Sequence, residues 1–151
     1  MIVDGTPAVD ILLADDNEDF VNSLGQLLSA RGHEVRIAYD GEQALEYLAG
    51  EGKYANRVEH PCPGLVLLDL MLPKLHGLDV LKWIRLQSST LLLPVIVFSS
   101  SSKPQDVCRA YELHVNAYLT KPARLEELVQ MIASLKDFWL RCVEPPPDCA
   151  E

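Results

Sequence analysis

The sequence predicts an α/β fold in which five strands and five helices alternate, a (βα)5 doubly wound parallel sheet. Short continuous apolar runs, typical of parallel strands buried on both faces, alternate about five times with segments of helical periodicity. Such alternation indicates a parallel sheet with helices on both faces, and right-handed crossovers limit the topology to a doubly wound one. The length of 151 residues suits one domain with a sizeable core.

The first half of the chain is expected to contain two strands and two helices. Residues 10–14 form the first apolar run, and Gly32 stands just past the end of the helix that follows, where a left-handed cap is favourable. The apolar face of that helix consists of Phe20, Leu24, Leu27 and Leu28. A short strand is expected at 34–38. The helix after Asp40-Gly41 is expected to pack through Ala44, Leu45, Leu48 and Ala49.

Residues 51–64 have no clear period and contain several glycine and proline residues, which predicts a long loop. Loops of this length are often functional or mobile, and the alternative is a tolerated surface insertion. The third strand is expected at 65–68. The next helix, from about Leu78 to Gln87, is expected to bury Leu78, Leu81 and either Ile84 or Trp83.

The last two strands and helices follow the same alternation. The fourth strand is expected at 94–98, since a strand tolerates proline at its first residue. Ser101 and Ser102 are expected in a flexible polar turn, and Pro104 suits the first turn of a helix that runs to about His114. The fifth strand is expected at 117–120. The core face of the last helix is Leu125, Leu128, Val129, Ile132 and Leu135.

Composition restricts the classes of function. Thirteen Lys and Arg residues against 22 Asp and Glu residues give a formal net charge of −9, which argues against nucleic acid and anionic membranes as partners. The N-terminus lacks the pattern of a signal peptide, and no apolar run approaches the roughly 20 residues of a membrane span. We therefore expect a cytoplasmic protein. Its four scattered cysteines are expected to be reduced, and its four histidines lack metal-ligand spacing.

Polar residues end four of the five predicted strands. Asp15 and Asp16 follow the first strand, and Asp69, Ser99 and Lys121 follow the third, fourth and fifth. In the flavodoxin-like strand order 2-1-3-4-5 the first and third strands are neighbours, and ligands bind at the carboxyl edge of such sheets. Each residue taken alone has an ordinary explanation, such as a helix cap or a turn. Their coincidence at one edge favours a functional site.

Clustered carboxylates are stable together when a divalent cation neutralises them, and Mg²⁺ prefers oxygen ligands. We expect Mg²⁺ (or Mn²⁺) to bind Asp16 and Asp69 directly, Asp15 through water, and the backbone carbonyl of Met71. A carboxylate can also accept a phosphoryl group, which makes Asp69 the candidate nucleophile. The Lys121 ammonium and the Ser99 hydroxyl would then compensate the charge on the phosphoryl oxygens.

These motifs resemble those of a response regulator receiver domain. They are Leu13-Ala14-Asp15-Asp16-Asn17, Leu67-Leu68-Asp69-Leu70-Met71-Leu72-Pro73, Ser99-Ser100 and Tyr118-Leu119-Thr120-Lys121-Pro122, and the resemblance covers about residues 9–140. The resemblance implies that Asp69 takes a phosphoryl group from a phosphohistidine on a sensor histidine kinase. It also implies a cis Lys121–Pro122 bond, and a switch in which Ser99 moves toward the phosphoryl group and Tyr118 turns inward. The face formed by the fourth helix, fifth strand and fifth helix would report the change.

A narrower resemblance points to the single-domain regulators of bacterial and cyanobacterial phytochromes. It rests on the segment from Tyr111 to Tyr118, on the long 51–64 segment, and on Asp137-Phe138-Trp139-Leu140. It implies a sensor kinase that is a bacteriophytochrome. Like the family, the chain is expected to be no enzyme beyond Mg-dependent phosphorylation and dephosphorylation of its own aspartate.

The C-terminal residues suggest the domain organisation and a self-association. We expect a receiver domain at 1–143 and a short proline-rich tail at 144–151, with no output domain and signalling by protein contacts. The apolar pattern continues through Phe138, Trp139, Leu140 and Val143, which one receiver domain cannot easily bury. A homodimer interface is preferred over a helix end folded back on its own sheet.

Met71 and Ser101 stand two residues beyond Asp69 and Ser99, at positions that flank the phosphoryl group in the resembling family. Met71 offers no group that could orient an attacking water, so a long-lived phosphoryl state is expected.

Two other classes of protein are disfavoured. A phosphatase with a DxD motif needs an acid where Met71 stands, and a flavin binder needs a hydroxyl-rich loop where the chain has Asp15-Asp16-Asn17-Glu18-Asp19.

Overall fold

A parallel sheet of five strands forms the centre of the protein. The computed structural model describes residues 2–3, 6–7 and 9–135. The strands are β1 (Asp10–Ala14), β2 (Glu34–Ala38), β3 (Leu65–Leu68), β4 (Val95–Ser99) and β5 (Ala117–Thr120). They pair in parallel in the spatial order 2-1-3-4-5, which confirms the predicted fold class and topology.

Five helices connect and follow these strands. They are α1 (Glu18–Ser29), α2 (Gly41–Ala49), α3 (Gly77–Leu86), α4 (Pro104–Glu112) and α5 (Leu125–Leu135). A short antiparallel pair, Ile2–Val3 with Thr6–Pro7, precedes the sheet. Among the described helices, none combines the length and the apolar composition that crossing a membrane would require.

The sheet separates two apolar layers, because successive side chains of a strand point to opposite faces. On β1, Ile11 and Leu13 pack into the layer beneath α1, whereas Leu12 and Ala14 pack into the layer beneath α2 and α3. Strands β1, β3 and β4 are buried almost throughout, while β2 and β5 at the two sides of the sheet are more exposed. The three central strands therefore form a rigid base for the loops at their carboxyl ends.

The helix faces agree with the sequence in most positions and differ in a few. Helix α3 buries Ile84 fully and Trp83 only partly, which decides between the two. On α2 the prediction for Ala49 is wrong, since Ala49 is exposed and Tyr47 is buried. Helix α4 ends at Glu112, two residues earlier than expected, and His114 then takes the left-handed conformation with φ of 62°. The structure describes the backbone of α5, but the side chains predicted for its core face are not among those it describes.

Residues 51–64 are folded against α2. A short 3-10 helix, Gly52–Tyr54, opens the segment. Arg57 donates to the carbonyl oxygens of Leu48 and His60, at 2.8 and 2.9 Å, and the Tyr47 hydroxyl donates to the Pro61 carbonyl at 2.9 Å. The buried Tyr54 ring contacts the Tyr47 ring edge-on. The segment is thus a long connection that the domain holds in place at several points.

Candidate functional site

The carboxyl ends of four strands bring the candidate residues to one edge of the sheet. The backbone N–H groups of Asp15 and Asp69 donate to the carbonyl oxygens of Ala38 and Ala14, so each aspartate continues the ladder of its strand by one residue. The Lys121 N–H donates in the same way to the carbonyl of Ser99, the last residue of β4. The predicted convergence at this edge is therefore present in the structure.

Three carboxylates meet there. Asp15, Asp16 and Asp69 each place a carboxylate oxygen within 4.8 Å of the others. Asp15 and Asp69 are buried, whereas Asp16 is exposed at the mouth of the cluster. Hard oxygen donors, partly buried and open on one side, fit a divalent cation that keeps several waters. Met71, whose backbone carbonyl was also predicted as a ligand, follows Asp69 by two residues, and its N–H donates to Asp69 Oδ1 at 3.2 Å.

The Lys121 ammonium joins the two buried carboxylates. Lys121 Nζ lies 2.5 Å from Asp15 Oδ2 and 3.2 Å from Asp69 Oδ2. The Lys121–Pro122 peptide bond is trans, as is every other peptide bond in the described part of the chain, so the expected cis bond is wrong. The lysine reaches both carboxylates with the trans bond, which is also the isomer favoured intrinsically by about 0.5–1 kcal/mol.

Burial disfavours the ionised form of the Asp15 carboxyl. Loss of hydration raises the pKa of its carboxyl above the ordinary value, against the opposing effects of the Lys121 ammonium and of the Asn17 N–H, which donates to Asp15 Oδ1 at 2.9 Å. The nearby Asp69 raises the same pKa further. One ammonium therefore compensates the acidic cluster only in part, and the site retains an attraction for additional positive charge.

Ser99 and Tyr118 are connected through Ser101. The Ser99 hydroxyl is fully buried and accepts a hydrogen bond from the Ser101 N–H at 3.2 Å. The Tyr118 hydroxyl donates to the Ser101 carbonyl at 2.7 Å, and the Ser101 hydroxyl donates to Asp106 Oδ2 at 2.5 Å. The expectation of a flexible polar turn is wrong for Ser101, because these bonds join it to β4, β5 and α4.

Two residues that sequence reasoning did not assign to the site lie against it. Phe20, expected only as a core residue of α1, places its ring centroid 4.3 Å from Lys121 Nζ. Gly77 lies so close to the Asp69 backbone that a Cβ there would stand 2.3 Å from the Asp69 carbonyl oxygen. The Gly77 N–H also donates to the Leu70 carbonyl, so the loop after Asp69 is fixed by a close backbone approach. In the sequence, the only indication of this close approach was a glycine at the position where α3 begins.

Comparison with known proteins identifies the family. The family model described as the response regulator receiver domain matches residues 11–133. The response regulator Rcp1 of Synechocystis sp. is 38% identical over 145 residues, which are 95% of this chain and 97% of Rcp1. The crystal structure of Mn²⁺-bound Rcp1 has a TM-score of 0.86 and 38% identity, with 92% of this chain and 99% of that chain covered.

Two further structures are similar along most of their length. The phosphorylated cyanobacterial phytochrome response regulator RcpA has a TM-score of 0.87 and 37% identity, covering 93% of this chain and 100% of RcpA. The bacteriophytochrome response regulator RtBRR has a TM-score of 0.70 and 40% identity, covering 93% of this chain and 86% of RtBRR. From the matched domain, the shared fold and these identities, the chain belongs to the response regulator receiver family.

Proposed function

We propose that this chain is a two-component response regulator in which Asp69 accepts a phosphoryl group from a phosphohistidine of a bacteriophytochrome sensor kinase. The observation that carries the proposal is the contact of one ammonium, that of Lys121, with the buried carboxylates of Asp15 and Asp69 at the carboxyl edge of the sheet. The similarity to phytochrome response regulators supports the class of kinase.

The residues around Asp69 orient it for this role. Asp69 Oδ1 accepts from the Met71 N–H and Oδ2 from Lys121 Nζ, so hydrogen bonds define the plane of the carboxylate. One carboxylate oxygen forms the bond to phosphorus while the bond from phosphorus to the histidine nitrogen breaks. The phosphoryl oxygens bring new negative charge to the site, and the Lys121 ammonium beside Asp69 compensates it as a point charge.

The acidic cluster supports a divalent cation as the cofactor. We assign Mg²⁺, or Mn²⁺ in its place, to Asp15, Asp16, Asp69 and the backbone carbonyl of Met71, and the carboxylate spacing fits such an ion. When bound, the cation neutralises the carboxylates and compensates charge on the phosphoryl oxygens. Chelation of the cation should therefore prevent phosphorylation while leaving the sheet intact.

The switch is proposed to start at Ser99. Its hydroxyl would move to donate to a phosphoryl oxygen, and Tyr118 would turn further into the space beside it. In the present structure Tyr118 is half-buried and bonded to the Ser101 carbonyl. A local change of charge would thus alter the contacts of α4 and β5, the general principle of a two-state element biased by phosphorylation.

The output is proposed to be contact with other proteins. We place the receiver domain at 1–143 and the proline-rich tail at 144–151. We place a homodimer interface at four residues that lie outside the described part of the chain, Phe138, Trp139, Leu140 and Val143. We propose the cytoplasm as the location and no nucleic acid or membrane as a partner; the net charge of −9 supports this. No catalysis beyond phosphorylation and dephosphorylation of its own aspartate is assigned.

Phosphotransfer from candidate kinases tests the proposal. Wild type, Asp69→Asn and the control Asp10→Asn are incubated with phosphorylated kinases and read on a phosphate-affinity gel. Asp10 begins β1 at the opposite edge of the sheet, so its variant should be shifted like wild type. Asp69→Asn should give no shifted band. A shifted band for Asp69→Asn would contradict the proposal, and so would the absence of a shifted band for wild type both with the candidate kinases and with acetyl phosphate and Mg²⁺.

A further inference from the structure

The Lys121 ammonium contacts an aromatic ring as well as two carboxylates. Its Nζ lies 4.3 Å from the centroid of the Phe20 ring, and the lysine side chain is only 15% exposed. An ammonium has three N–H donors, of which the contacts with Asp15 and Asp69 occupy two. The ring thus covers a further side of the charge, in a place where little water can reach it.

Several contacts hold the Phe20 ring in place. Phe20 is 7% exposed, and its ring packs against the Phe98 ring with centroids 5.9 Å apart and planes inclined by 56°. Its backbone N–H donates to Oδ1 of Asn17, the residue that caps α1, at 3.1 Å. The first turn of α1, which follows Asp15 and Asp16, therefore holds the Phe20 ring in place beside the Lys121 ammonium.

The character of this contact is electrostatic. The face of an aromatic ring carries the negative part of a quadrupole, which attracts an ammonium within about 6 Å of the centroid. A leucine of similar apolar character would fill much of the same space without that attraction. The ring has no proton to transfer and no lone pair, so it takes no chemical part in phosphorylation and can affect the rate only through the ammonium or through packing.

We propose that Phe20 is a positioning residue, which holds the Lys121 ammonium against Asp69 and against the phosphoryl group that Asp69 accepts. This inference rests on the proposed function, since it assigns Lys121 the compensation of phosphoryl charge. Phe20 acts through the lysine and does not touch the reacting atoms. Its removal should slow phosphorylation by about threefold to tenfold, the range of a partly desolvated cation–π contact.

A double-mutant cycle separates positioning from packing. Initial rates with acetyl phosphate and saturating Mg²⁺ are measured for wild type, Phe20→Leu, Lys121→Ala and the double variant. Positioning predicts that Phe20→Leu slows wild type but adds no loss in the Lys121→Ala background, because the group that the ring holds is gone. Equal losses in both backgrounds would show mere packing and overturn the inference. Phe20→Tyr keeps the ring and should restore the wild-type rate.

A second measurement is independent of phosphorylation. The metal-free protein is labelled with acetic anhydride, and acetylation of Lys121 is followed by peptide mass spectrometry. Phe20→Leu should label faster at Lys121, whereas Phe20→Tyr and Leu24→Val should match wild type. Leu24 lies one turn further along α1 in the same apolar layer. Urea unfolding of every variant identifies any that does not fold.

The outcomes distinguish this inference from the proposed function. If wild type accepts no phosphoryl group from acetyl phosphate or a kinase, the proposed function fails, whatever the labelling shows. If wild type is phosphorylated and Phe20→Leu matches it in rate and in Lys121 labelling, only the assignment of Phe20 fails.

Discussion

A single ammonium stands between two buried carboxylates in this protein. Asp15 is 1% exposed. The loss of hydration raises the pKa of its carboxyl by more than the contacts with Lys121 and Asn17 lower it. In the absence of a cation, the ionised Asp15 carboxylate therefore lowers the stability of the folded protein. Proteins retain such an arrangement where the charge serves binding or chemistry.

Asp15→Asn should stabilise the metal-free protein at neutral pH. Because the folded-state pKa of Asp15 lies above its unfolded value, the native state binds more protons just above pH 3.8, and stability falls as pH rises through the folded pKa. The variant lacks this loss, so its urea midpoint should exceed that of wild type at pH 7, with a smaller excess near pH 3. A lower midpoint at pH 7 would show that the Lys121 contact dominates. Asp10→Asn is the control.

The lifetime of the phosphoryl group should depend on Met71. Met71 is 57% exposed beside Asp69, and its side chain carries no group that could orient a water for attack. Wild type should therefore keep the phosphoryl group for minutes or longer, and Met71→Asn should shorten the lifetime by up to about tenfold, the equivalent of one orienting hydrogen bond. Loss of label from wild type within seconds contradicts this. Leu86→Asn, an exposed apolar residue at the end of α3, is the control.

Residue types and chain order predicted the acidic cluster and Lys121, because parallel strands bring their carboxyl ends to one edge. They did not predict the contact of Phe20 with the lysine or the bonds of Ser101. The first depends on the directions of two side chains 101 positions apart, and the second on the directions of side chains in the turn after β4, which residue types do not determine. The trans Lys121–Pro122 bond was not predicted either, since the expected cis bond rested on a family resemblance and not on the residues.

At the scale of elements, the helix beginnings decide how firmly the loops of the site are held. Asn17 caps α1 and Asp40 caps α2 through side-chain oxygens, whereas α3 is capped by His76, whose Nδ1 accepts from the Leu78 N–H at 3.1 Å. An imidazole is a poorer cap than a carboxylate, and it adds no favourable charge at the positive end of the helix dipole. Helix α3 therefore starts from the weakest of these three caps.

His76→Asp should raise the free energy of unfolding by about 0.5–1 kcal/mol, through a better cap and a favourable interaction with the helix dipole. His76→Ala should lower it by about 1 kcal/mol, because the Leu78 N–H then loses its acceptor. Urea unfolding measures both. Asp40→Ala removes the side-chain oxygen that accepts from the Gln43 N–H at the start of α2, and its loss of stability serves as the reference. The interpretation is wrong if His76→Asp is less stable than wild type.

Arg85 connects α3 to the elements at the amino edge of the sheet. Its guanidinium donates to the carbonyl oxygens of Leu91, Leu93 and His114 and to the side chain of Asn116, between 2.7 and 3.1 Å. Burial lowers its pKa from the ordinary value. No periodicity in the sequence could indicate this role, because three of the four acceptors are backbone carbonyl groups, up to 29 positions away.

Arg85→Lys should destabilise the protein by about 1–3 kcal/mol, since a lysine cannot match the planar set of donors and leaves carbonyl groups without partners. The exposed Arg109 on α4 provides the matched control, and Arg109→Lys should change stability by no more than about 0.5 kcal/mol. Thermal unfolding of the two variants measures the difference. Equal stabilities would show that water replaces the Arg85 bonds.

At the scale of the whole molecule, the two edges of the sheet have different roles. The carboxyl edge holds the charges of the proposed site, while the connections at the amino edge are tied down by Arg57, Arg85 and Tyr47. The doubly wound topology was predictable because buried parallel strands are recognisable as apolar runs and crossovers have one hand, and the order 2-1-3-4-5 was taken from the flavodoxin-like arrangement. The anchoring of the 51–64 segment was not, since its bonds go to backbone atoms of α2 and of the segment itself.

The proposed homodimer is a property of the whole chain and can be tested by truncation. A chain ending at Lys136 lacks Phe138, Trp139, Leu140 and Val143, whose aromatic and apolar surface we propose as the interface, so it should be monomeric by light scattering. A chain ending at Val143 lacks only residues 144–151 and should remain a dimer, as should the full chain. Since association follows mass action, all three are compared at equal concentrations over a dilution series. A dimer that persists after truncation at Lys136 would place the interface elsewhere, and a monomeric full chain would refute the dimer itself.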